Sequence, residues 1–295
     1  MRILTTLSTA ILLLSSALFS YEHFTFLVTA DPHVGRNQLV DNEANLKNII
    51  DDMNSLPGTT LPISGEAISP PKGVLIAGDL TDNGRTDWTG FWWKEWRDGF
   101  EGLFQTNGLG RLAFPVYEGY GNHDFSRGDV SALTAIYLRN RTRSTPVNTS
   151  ENGLHYSWDW EGIHFINLNL YPGQGGFTCN SLDFLRKDLK NNLQHPRQPI
   201  IVYHHYYYGA PEHRWTTQEQ ERAIDELVPY NVIGIFVGHG HAQRRTKRKG
   251  ITIYMAPALF KNRYYLCKVK DNKMIIYSRK ENRWVGRWIK LFTRP

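Results

Sequence analysis

Short apolar runs of strand length recur along the whole chain. They are rich in β-branched and aromatic residues, as in "HFTFLVTA", "PIIVYHH" and "VIGIFVG", a composition that favours strands. Helical patterns lie between several of these runs, and one of them places Leu46, Ile49, Ile50 and Met53 on a single stripe. Strands that alternate with helices predict an α/β layered fold. From Ile251 onward the pattern is strand, turn, strand, so we expect antiparallel strands at the end of the sheet.

The start of the chain has the pattern of a secretory leader. Arg2 supplies a positive charge, and an uncharged stretch then runs to Ser20, with cleavage expected after Ala17 or Ser20. An uncleaved membrane anchor is the alternative, but the stretch is near the lower length limit for spanning and is diluted by Ser and Thr. The sequence therefore predicts a signal peptide over residues 1–20 and one domain over residues 21–295. The mature protein would be exported, secreted or periplasmic, without a stable membrane span.

The formal net charge is +6, a modest excess over 295 residues. Basic residues are densest in Leu138–Arg143 and Gln243–Gly250. A run of charges is usually a solvated face. The sharper alternative is that these clusters attract an anionic substrate, including nucleic acid.

The two cysteines leave the redox state open. Export would permit a disulfide between Cys179 and Cys267, and two buried thiols are the alternative. Neither cysteine lies in a motif for redox or metal chemistry. A metal site in this chain must therefore use other side chains.

Five of the apolar runs end in a cluster of Asp, Asn or His, and most of the histidines in the chain fall in these clusters. Each cluster alone is weak, because Asp-x-His or Gly-Asp is more often a turn. Ligand sites in α/β sheets lie outside the carboxyl ends of the strands, so the five clusters are expected to meet in one crevice. The clusters are Asp31–His33, Gly78–Asp82, Gly121–Asp124, His204–His205 and Gly238–His241.

This set of side chains offers more donor atoms than the three or four protein ligands of a single zinc ion. It suits two metal ions that share a bridging carboxylate. Mixed imidazole and carboxylate donors without a thiolate favour Zn, Fe or Mn over Mg or Ca. Paired metals serve in-line displacement at phosphorus, so the clusters indicate phosphoester chemistry.

In this order, the blocks D-x-H, G-D-x-x-D, G-N-H-D, His after a strand and G-H-x-H resemble the signature of calcineurin-like metallophosphoesterases. The resemblance runs from about Phe24 to Ala256. It implies an α/β fold of the four-layer α/β/β/α type, with mixed sheets flanked by helices. It also implies a phosphoester substrate and two divalent or trivalent metal ions, Mn, Fe or Zn, whereas nucleic acid is not the expected partner.

The resemblance assigns a ligand set to the two metals. Asp79 would bridge them, because a carboxylate has two oxygens for two cations. His204 is preferred to His205 because it follows the strand immediately, although Tyr206 stands where the family commonly has a proline. The first metal would be held by Asp31, His33 and His241, and the second by Asn122, His204 and His239.

The resemblance also implies that hydroxide held by the metals attacks phosphorus in line. His123 would donate a hydrogen bond or a proton towards the leaving group, and Asp124 would orient His123. Asp82 either supports a histidine ligand or caps a helix, and it stands where a purple acid phosphatase is expected to have a tyrosine ligand. Tyr206 or Tyr207 is expected to line the substrate pocket.

These observations predict an exported, metal-dependent phosphoesterase that hydrolyses a phosphate mono- or diester. A secreted binding protein without catalysis on the same scaffold is one alternative. A nuclease-type phosphodiesterase is another, and its basis is the basic cluster Gln243–Gly250.

Overall fold

The computed structural model describes residues 23–36, 42–84, 94–125, 131–143, 145, 147–209 and 215–294. The leader predicted over residues 1–20 lies outside these ranges. Among the helices in them, none combines the length and the apolar character that crossing a membrane requires.

The strands of the described part form two mixed sheets. They are β1 Phe24–Thr29, β2 Val74–Ala77, β3 Val116–Gly119, β4 Asn148–Thr149, β5 Tyr156–Trp160, β6 Ile163–Asn167, β7 Ile200–His204, β8 Val232–Val237, β9 Arg244–Arg248, β10 Ile251–Met255, β11 Arg263–Lys270, β12 Lys273–Lys280 and β13 Arg283–Leu291.

The first sheet has the order β13-β12-β11-β1-β2-β3. Strands β1, β2 and β3 are parallel to one another, whereas β11, β12 and β13 add antiparallel strands beside β1. Strands β11 and β12 form a tight hairpin in which Lys270 pairs with Lys273, which confirms the antiparallel end predicted from the sequence.

The second sheet has the order β4-β5-β6-β7-β8-β10-β9. Its centre is parallel, from β6 through β7 and β8 to β10, and both of its edges are antiparallel. The carboxyl ends of β7 and β8 therefore lie side by side, just as those of β1, β2 and β3 do in the first sheet.

Four helices of eleven or more residues flank the sheets in the described ranges. The predicted stripe of Leu46, Ile49, Ile50 and Met53 is buried in the helix Asn42–Asn54. In the helix Ser181–Asn191, Asn180 occupies the N-cap position, and Ser181 Oγ donates to the carbonyl of Tyr171 at 2.7 Å. A π-helical segment over Lys94–Phe100 continues as a single α-turn over Glu101–Leu103. The long helices are α1 Asn42–Asn54, α2 Ser131–Arg141, α3 Ser181–Asn191 and α4 Thr217–Leu227.

Both faces of the central strands are covered, which explains why these strands are continuously apolar rather than alternating. In β1, Phe26 and Val28 belong to a core between the two sheets, and Leu27 belongs to a core that includes Ile50 of α1. The predicted α/β arrangement of two mixed sheets flanked by helices is thereby confirmed. It places the ends of the parallel strands at one rim of the layers.

The basic cluster Leu138–Arg143 is only in part the solvated face that its composition predicts, because Arg141 is exposed whereas Arg139 is buried and Arg143 is half-buried. Arg139 and Arg143 form ion pairs at 2.9 and 2.7 Å with Glu118, a fully buried residue of β3. Burial opposes ionisation of Glu118, but the two guanidinium groups hold its pKa below the usual value. These arginines are therefore committed to the core and are not available to a substrate.

Both cysteines are free thiols. Cys267 is buried in β11 within the core between the sheets, and burial holds its pKa well above the usual value. Cys179 is partly buried ahead of α3. The structure therefore has two thiols and no disulfide between Cys179 and Cys267.

Candidate active site

The loops after β1 and β2 are joined by backbone hydrogen bonds. The N–H of Asp31 donates to the carbonyl of Gly78 at 2.9 Å, and the N–H of His33 donates to the carbonyl of Asp79 at 3.0 Å. On the second sheet, the N–H of Gly238 donates to the carbonyl of His205 at 2.8 Å. The strand ends therefore present their polar residues from a fixed framework rather than from independent loops.

Five polar residues of these loops have left-handed backbone conformations. Their φ angles lie between 45° and 66°. Such angles are uncommon for residues other than glycine, and each costs on the order of 1–3 kcal/mol. Strain of this kind is concentrated at functional sites, where the rest of the fold maintains it. The five residues are Asp31, His33, Asp79, His239 and His241.

A first group of donors comprises Asp31, His33, Asp79 and His241, whose donor atoms all lie within 4.8 Å of one another. The Nε2 atoms of His33 and His241 are 3.3 Å apart, and His241 Nε2 is 3.5 Å from Asp31 Oδ1. The other carboxylate oxygen, Asp31 Oδ2, is buried and has no hydrogen-bond partner among the described residues.

Asp82 fixes the ring of His33. His33 Nδ1 lies 2.9 Å from Asp82 Oδ1, so the Nδ1–H donates to the carboxylate and Nε2 is left to face the first group. Burial raises the pKa of Asp82, but the hydrogen bond and charge of His33 outweigh it and lower the pKa. Of the two interpretations of Asp82, support of a histidine is the one seen here; the alternative of a helix cap depends on residues 85–93, which are outside the described residues.

A second group comprises Asp79, His205 and His239, again with donor atoms within 4.8 Å of one another. His205 Nδ1 donates to the carbonyl of Ala77 at 2.8 Å, which directs Nε2 towards Asn122 Oδ1 at 3.0 Å and Asp79 Oδ2 at 3.2 Å. A neutral His205 would thus direct a lone pair at two oxygen acceptors. This is unfavourable unless a cation or a proton lies between them.

Asp79 belongs to both groups through one oxygen. Its Oδ2 is 3.6 Å from His33 Nε2 and 3.2 Å from His205 Nε2, whereas Oδ1 accepts the backbone N–H of His123 at 2.8 Å. Burial opposes ionisation, but His205, His123 and His33 hold the pKa of Asp79 well below the usual value. Oδ2 is therefore the oxygen of Asp79 that faces histidines of both groups.

The structure places His205 at the site and His204 away from it, contrary to the choice made from the sequence. His204 ends β7 and packs edge-on against Tyr208 and Trp215, with ring centroids 5.4 and 5.3 Å away. Its ring nitrogens are buried without described partners, and burial, together with the charge of His205, lowers its pKa to about 3. Successive side chains of a strand point to opposite faces, so only one of the two histidines can reach the cluster.

His123 lies beside the first group and forms a further group of possible donors with His33 and Asp82. Its ring is 4.6 Å from that of His33 and perpendicular to it. His123 Nδ1 is 2.5 Å from the backbone carbonyl of Asp82, and since a carbonyl only accepts, Nδ1 carries the hydrogen. The residue is partly exposed.

Asp124 does not contact the ring of His123, which corrects the orienting role expected for it. Its carboxylate instead accepts the backbone N–H groups of Leu80, Thr81 and Gly121 at 3.1, 2.9 and 2.8 Å. Asp124 therefore joins the loop after β2 to the loop after β3. Burial, with a contribution from Asp79, raises the pKa of Asp124 to about 6.

Aromatic side chains border both groups. The rings of Tyr206 and Tyr207 lie 4.8 and 6.0 Å from the ring of His239. Phe260, which the sequence did not single out, contacts His33 and His241 edge-on, at 5.4 and 5.0 Å between ring centroids. Phe260 follows β10 in a run without any polar cluster, so no motif marks it.

Comparison with known proteins finds relatives among phosphatases. Purple acid phosphatase 18 of Arabidopsis thaliana is 29% identical over 103 residues, 34% of this chain and 23% of that protein. Purple acid phosphatase 15 of the same plant is 26% identical over 160 residues, 53% of this chain and 28% of that protein. The matched region thus spans less than a third of either relative.

Solved structures share the fold. GAP50 of Plasmodium, described as the anchor in the inner membrane complex, superposes with a TM-score of 0.61 at 11% identity, over 92% of this chain and 90% of that one. The purple acid phosphatase PPD1 from yellow lupin seeds gives 0.56 at 13% identity, over 92% and 54%. At these identities the likeness is one of fold alone.

The sequence profile described as calcineurin-like phosphoesterase matches residues 24–243. The matched region begins with β1 and ends just after the G-H-x-H block, so it contains all five polar clusters. Since it covers most of the chain, the protein belongs to the calcineurin-like phosphoesterase family.

Proposed function

We propose that this protein is an exported, metal-dependent phosphoesterase that hydrolyses a phosphate mono- or diester at a two-metal centre. One observation carries the proposal: two groups of ligand atoms, each of a size to hold one ion, share Asp79 Oδ2. A shared carboxylate brings two ions close together, as displacement at phosphorus requires. The purple acid phosphatase relatives support the same reaction class.

The donor set fits two such ions. Imidazole and carboxylate donors, with one amide and no thiolate, suit Mn, Fe or Zn. The unpartnered Asp31 Oδ2 and the facing Nε2 atoms of His33 and His241 are each explained by a cation between them. The first ion would be held by Asp31, His33, Asp79 and His241, and the second by Asp79, Asn122, His205 and His239.

When bound, the two ions would neutralise charge on the phosphoryl oxygens and activate water for attack on phosphorus. Residues of the chain itself would position the site loops and donate a proton to the leaving group. His123 keeps its Nδ1–H on the carbonyl of Asp82, so a protonated ring donates from Nε2 towards the leaving oxygen. Asp124 holds the two loops that carry Asp79 and His123 in register. Tyr206 and Tyr207 border the entrance beside His239.

The basic cluster Gln243–Gly250 gives little support to a nuclease. Arg248 pairs with Glu221 at 2.7 Å, and Lys249 bonds to both Glu221 and Asp225. The cluster therefore offers a phosphate backbone less charge than its composition indicates. Oligonucleotide binding that weakens steeply with salt would support the nuclease alternative instead.

The test is a panel of aryl phosphate monoesters and diesters, assayed on protein stripped of metal and reloaded with Mn, Fe or Zn, with elemental analysis of each sample. We expect two ions per chain and turnover that chelation abolishes and reloading restores. Two bound ions without turnover of any ester would favour the binding-protein alternative, and failure to bind metal would contradict the proposal.

Export rests on the leader, and we propose a signal peptide over residues 1–20 followed by one phosphoesterase domain over residues 21–295. Expression in a host with a secretory pathway, followed by N-terminal sequencing of the mature protein, tests both. A mature N-terminus shortly after Ala17 or Ser20 is expected. Retention of Met1 in the cell-associated fraction alone would contradict export.

A further inference from the structure

Phe260 is held rigidly at the edge of the first ligand group. It lies in a short 3₁₀ turn, Leu259–Lys261, whose Leu259 N–H donates to the carbonyl of Ala30 at 2.8 Å. Its ring meets those of His33 and His241 at 88° and 87°. The ring therefore keeps a fixed position relative to the atoms that would hold a metal.

Two cations lie against this ring. The guanidinium carbon of Arg36 is 4.5 Å from the centroid of Phe260, and the ammonium of Lys261 is 5.6 Å from it, both within the range of cation–π attraction. Lys261 Nζ also donates to the carbonyl of His241 at 3.3 Å. Within the described part of the chain, neither cation has a carboxylate within ion-pair distance, so most of their N–H groups are free to bind an anion.

The position of these cations indicates what they bind. They flank the group that contains His241, whose side chain is 27% exposed and so lies towards solvent. The phosphoryl group itself would be held by the metals and His123. Arg36 and Lys261 are not needed for that task. Asp82 offsets part of the charge of Arg36, and an anion bound beside the two cations would offset more of their repulsion from a metal centre.

We propose that Arg36 and Lys261, supported by Phe260, bind a second anionic group of the substrate. The protein would then prefer phosphoesters that also carry a carboxylate or another phosphate, since guanidinium and ammonium groups bind both. This inference rests on the proposed function, because it assigns the substrate class of the same site.

Binding of phosphonates tests the inference without turnover, because their C–P bonds are not hydrolysed. Methylphosphonate carries one anionic group, phosphonoacetate adds a carboxylate, and methylenediphosphonate adds a second phosphorus acid. We would titrate each into the full, manganese-loaded protein by calorimetry. Both two-group ligands, or the one whose second anion fits, are expected to bind at least about tenfold more tightly than methylphosphonate, a difference of about 1.4 kcal/mol.

The double variant R36Q/K261Q is expected to reduce this preference to within about twofold while methylphosphonate binding stays unchanged. K273Q serves as the matched control, because Lys273 is an exposed cation at the start of β12, and it should keep the full preference. The single variants R36Q and K261Q guard against misfolding of the double variant. A wild-type protein without a preference overturns the inference, and so does a preference that survives R36Q/K261Q, since metal chelation alone would then explain it.

Kinetics separate this inference from the proposed function. Glycerol 3-phosphate and 3-phosphoglycerate differ in one carboxylate, which 3-phosphoglycerate carries. The kcat/KM value for 3-phosphoglycerate, divided by that for glycerol 3-phosphate, should fall in R36Q/K261Q because the KM for 3-phosphoglycerate rises. Turnover without any preference for the second anion would overturn the anion site alone. A phosphonate preference in a protein that hydrolyses no phosphoester would support the anion site and contradict the proposed function.

Discussion

The Nε2 atoms of His33 and His241 face each other at 3.3 Å. Because His33 donates its Nδ1–H to Asp82, its Nε2 presents a lone pair to the other ring. Two such lone pairs repel unless a proton or a metal ion joins them. The left-handed backbone at both residues adds local strain to the same place. The backbone strain at this site is thus a cost that binding of a cation would offset.

Metal binding is therefore expected to stabilise the fold. A ligand that binds only the folded state at about a thousand times its Kd adds about 4 kcal/mol to the free energy of unfolding. Urea unfolding with Mn or Zn, and again with a chelator, measures the difference. Equal midpoints in the two conditions would contradict a metal centre built from these residues.

Replacement of the two adjacent histidines should have opposite consequences. His205→Ala is expected to bind one ion in place of two and to lose turnover by about a hundredfold or more, since even changes outside the ligand set cost roughly 10–100-fold. His204→Phe should keep both ions. It fills the same apolar pocket between Tyr208 and Trp215 and removes two unpartnered polar atoms, whose burial costs about 1–3 kcal/mol.

Elemental analysis beside urea unfolding checks this pair. We expect His204→Phe to unfold at an equal or higher urea concentration than the wild-type protein. Loss of metal from His204→Phe, with metal retained in His205→Ala, would show instead that His204 is the ligand, as the sequence predicted.

His123→Ala should bind both ions and lose turnover by about 10²–10⁴-fold, the usual contribution of a general acid or base. The ring is held by the Asp82 carbonyl and is not part of either ligand group that contains Asp79. His195→Ala, a change at an exposed histidine in the loop before β7, is the control. Wild-type turnover in His123→Ala would remove this residue from the reaction.

The stability of the second sheet should depend on pH through His164. This β6 residue contacts Asp188 of α3 at 2.7 Å and Asp159 of β5 at 2.9 Å. Burial opposes its protonation, but the two carboxylates raise its pKa to about 9. The folded state therefore holds the proton more tightly than the unfolded state. The stabilisation is complete below about pH 6.5 and is lost as the pH rises to 9.

The expected loss across that interval is on the order of 3 kcal/mol, because the pKa of His164 rises from 6.5 to about 9 and each pKa unit corresponds to about 1.4 kcal/mol. Urea unfolding between pH 6 and pH 9.5 measures it, with His164→Gln as the comparison. The variant should be less stable at pH 6 and should show a flatter dependence on pH. An equal dependence of unfolding free energy on pH in both proteins would show that His164 does not control that dependence.

Strand ends and their polar clusters could be predicted from the sequence because each apolar run stops where a polar group begins. The face on which each side chain lies could not. In β7, Ile200 and Val202 pack in the helix-side core, and Ile201 and Tyr203 pack between the sheets. Because β7 is buried on both faces, its sequence does not alternate between apolar and polar residues. The sequence therefore does not show whether the even- or the odd-numbered side chains face the site.

The role of Asp124 was missed for a related reason. Adjacency to His123 in the sequence indicates contact, but the two side chains leave the turn in different directions, one to backbone N–H groups and one over the cluster. The partners of Asp124 are amides of Leu80, Thr81 and Gly121, and amides are present at every residue. Sequence motifs are therefore a better guide to side chains with a chemical role than to side chains that hydrogen-bond to the backbone.

The order of strands in the first sheet has a consequence for how the protein is made. Strand β1, which leads into Asp31 and His33, lies between β2 and β11, and its Leu27 pairs with Leu266, far along the chain. During translation, one edge of β1 therefore stays open to other chains until β11 has left the ribosome. Asp31 and His33 are thus the first candidate ligands to be synthesised, and the strand that leads into them is among the last to be covered. Truncation after residue 243 would expose an aggregation-prone edge beside the candidate metal site.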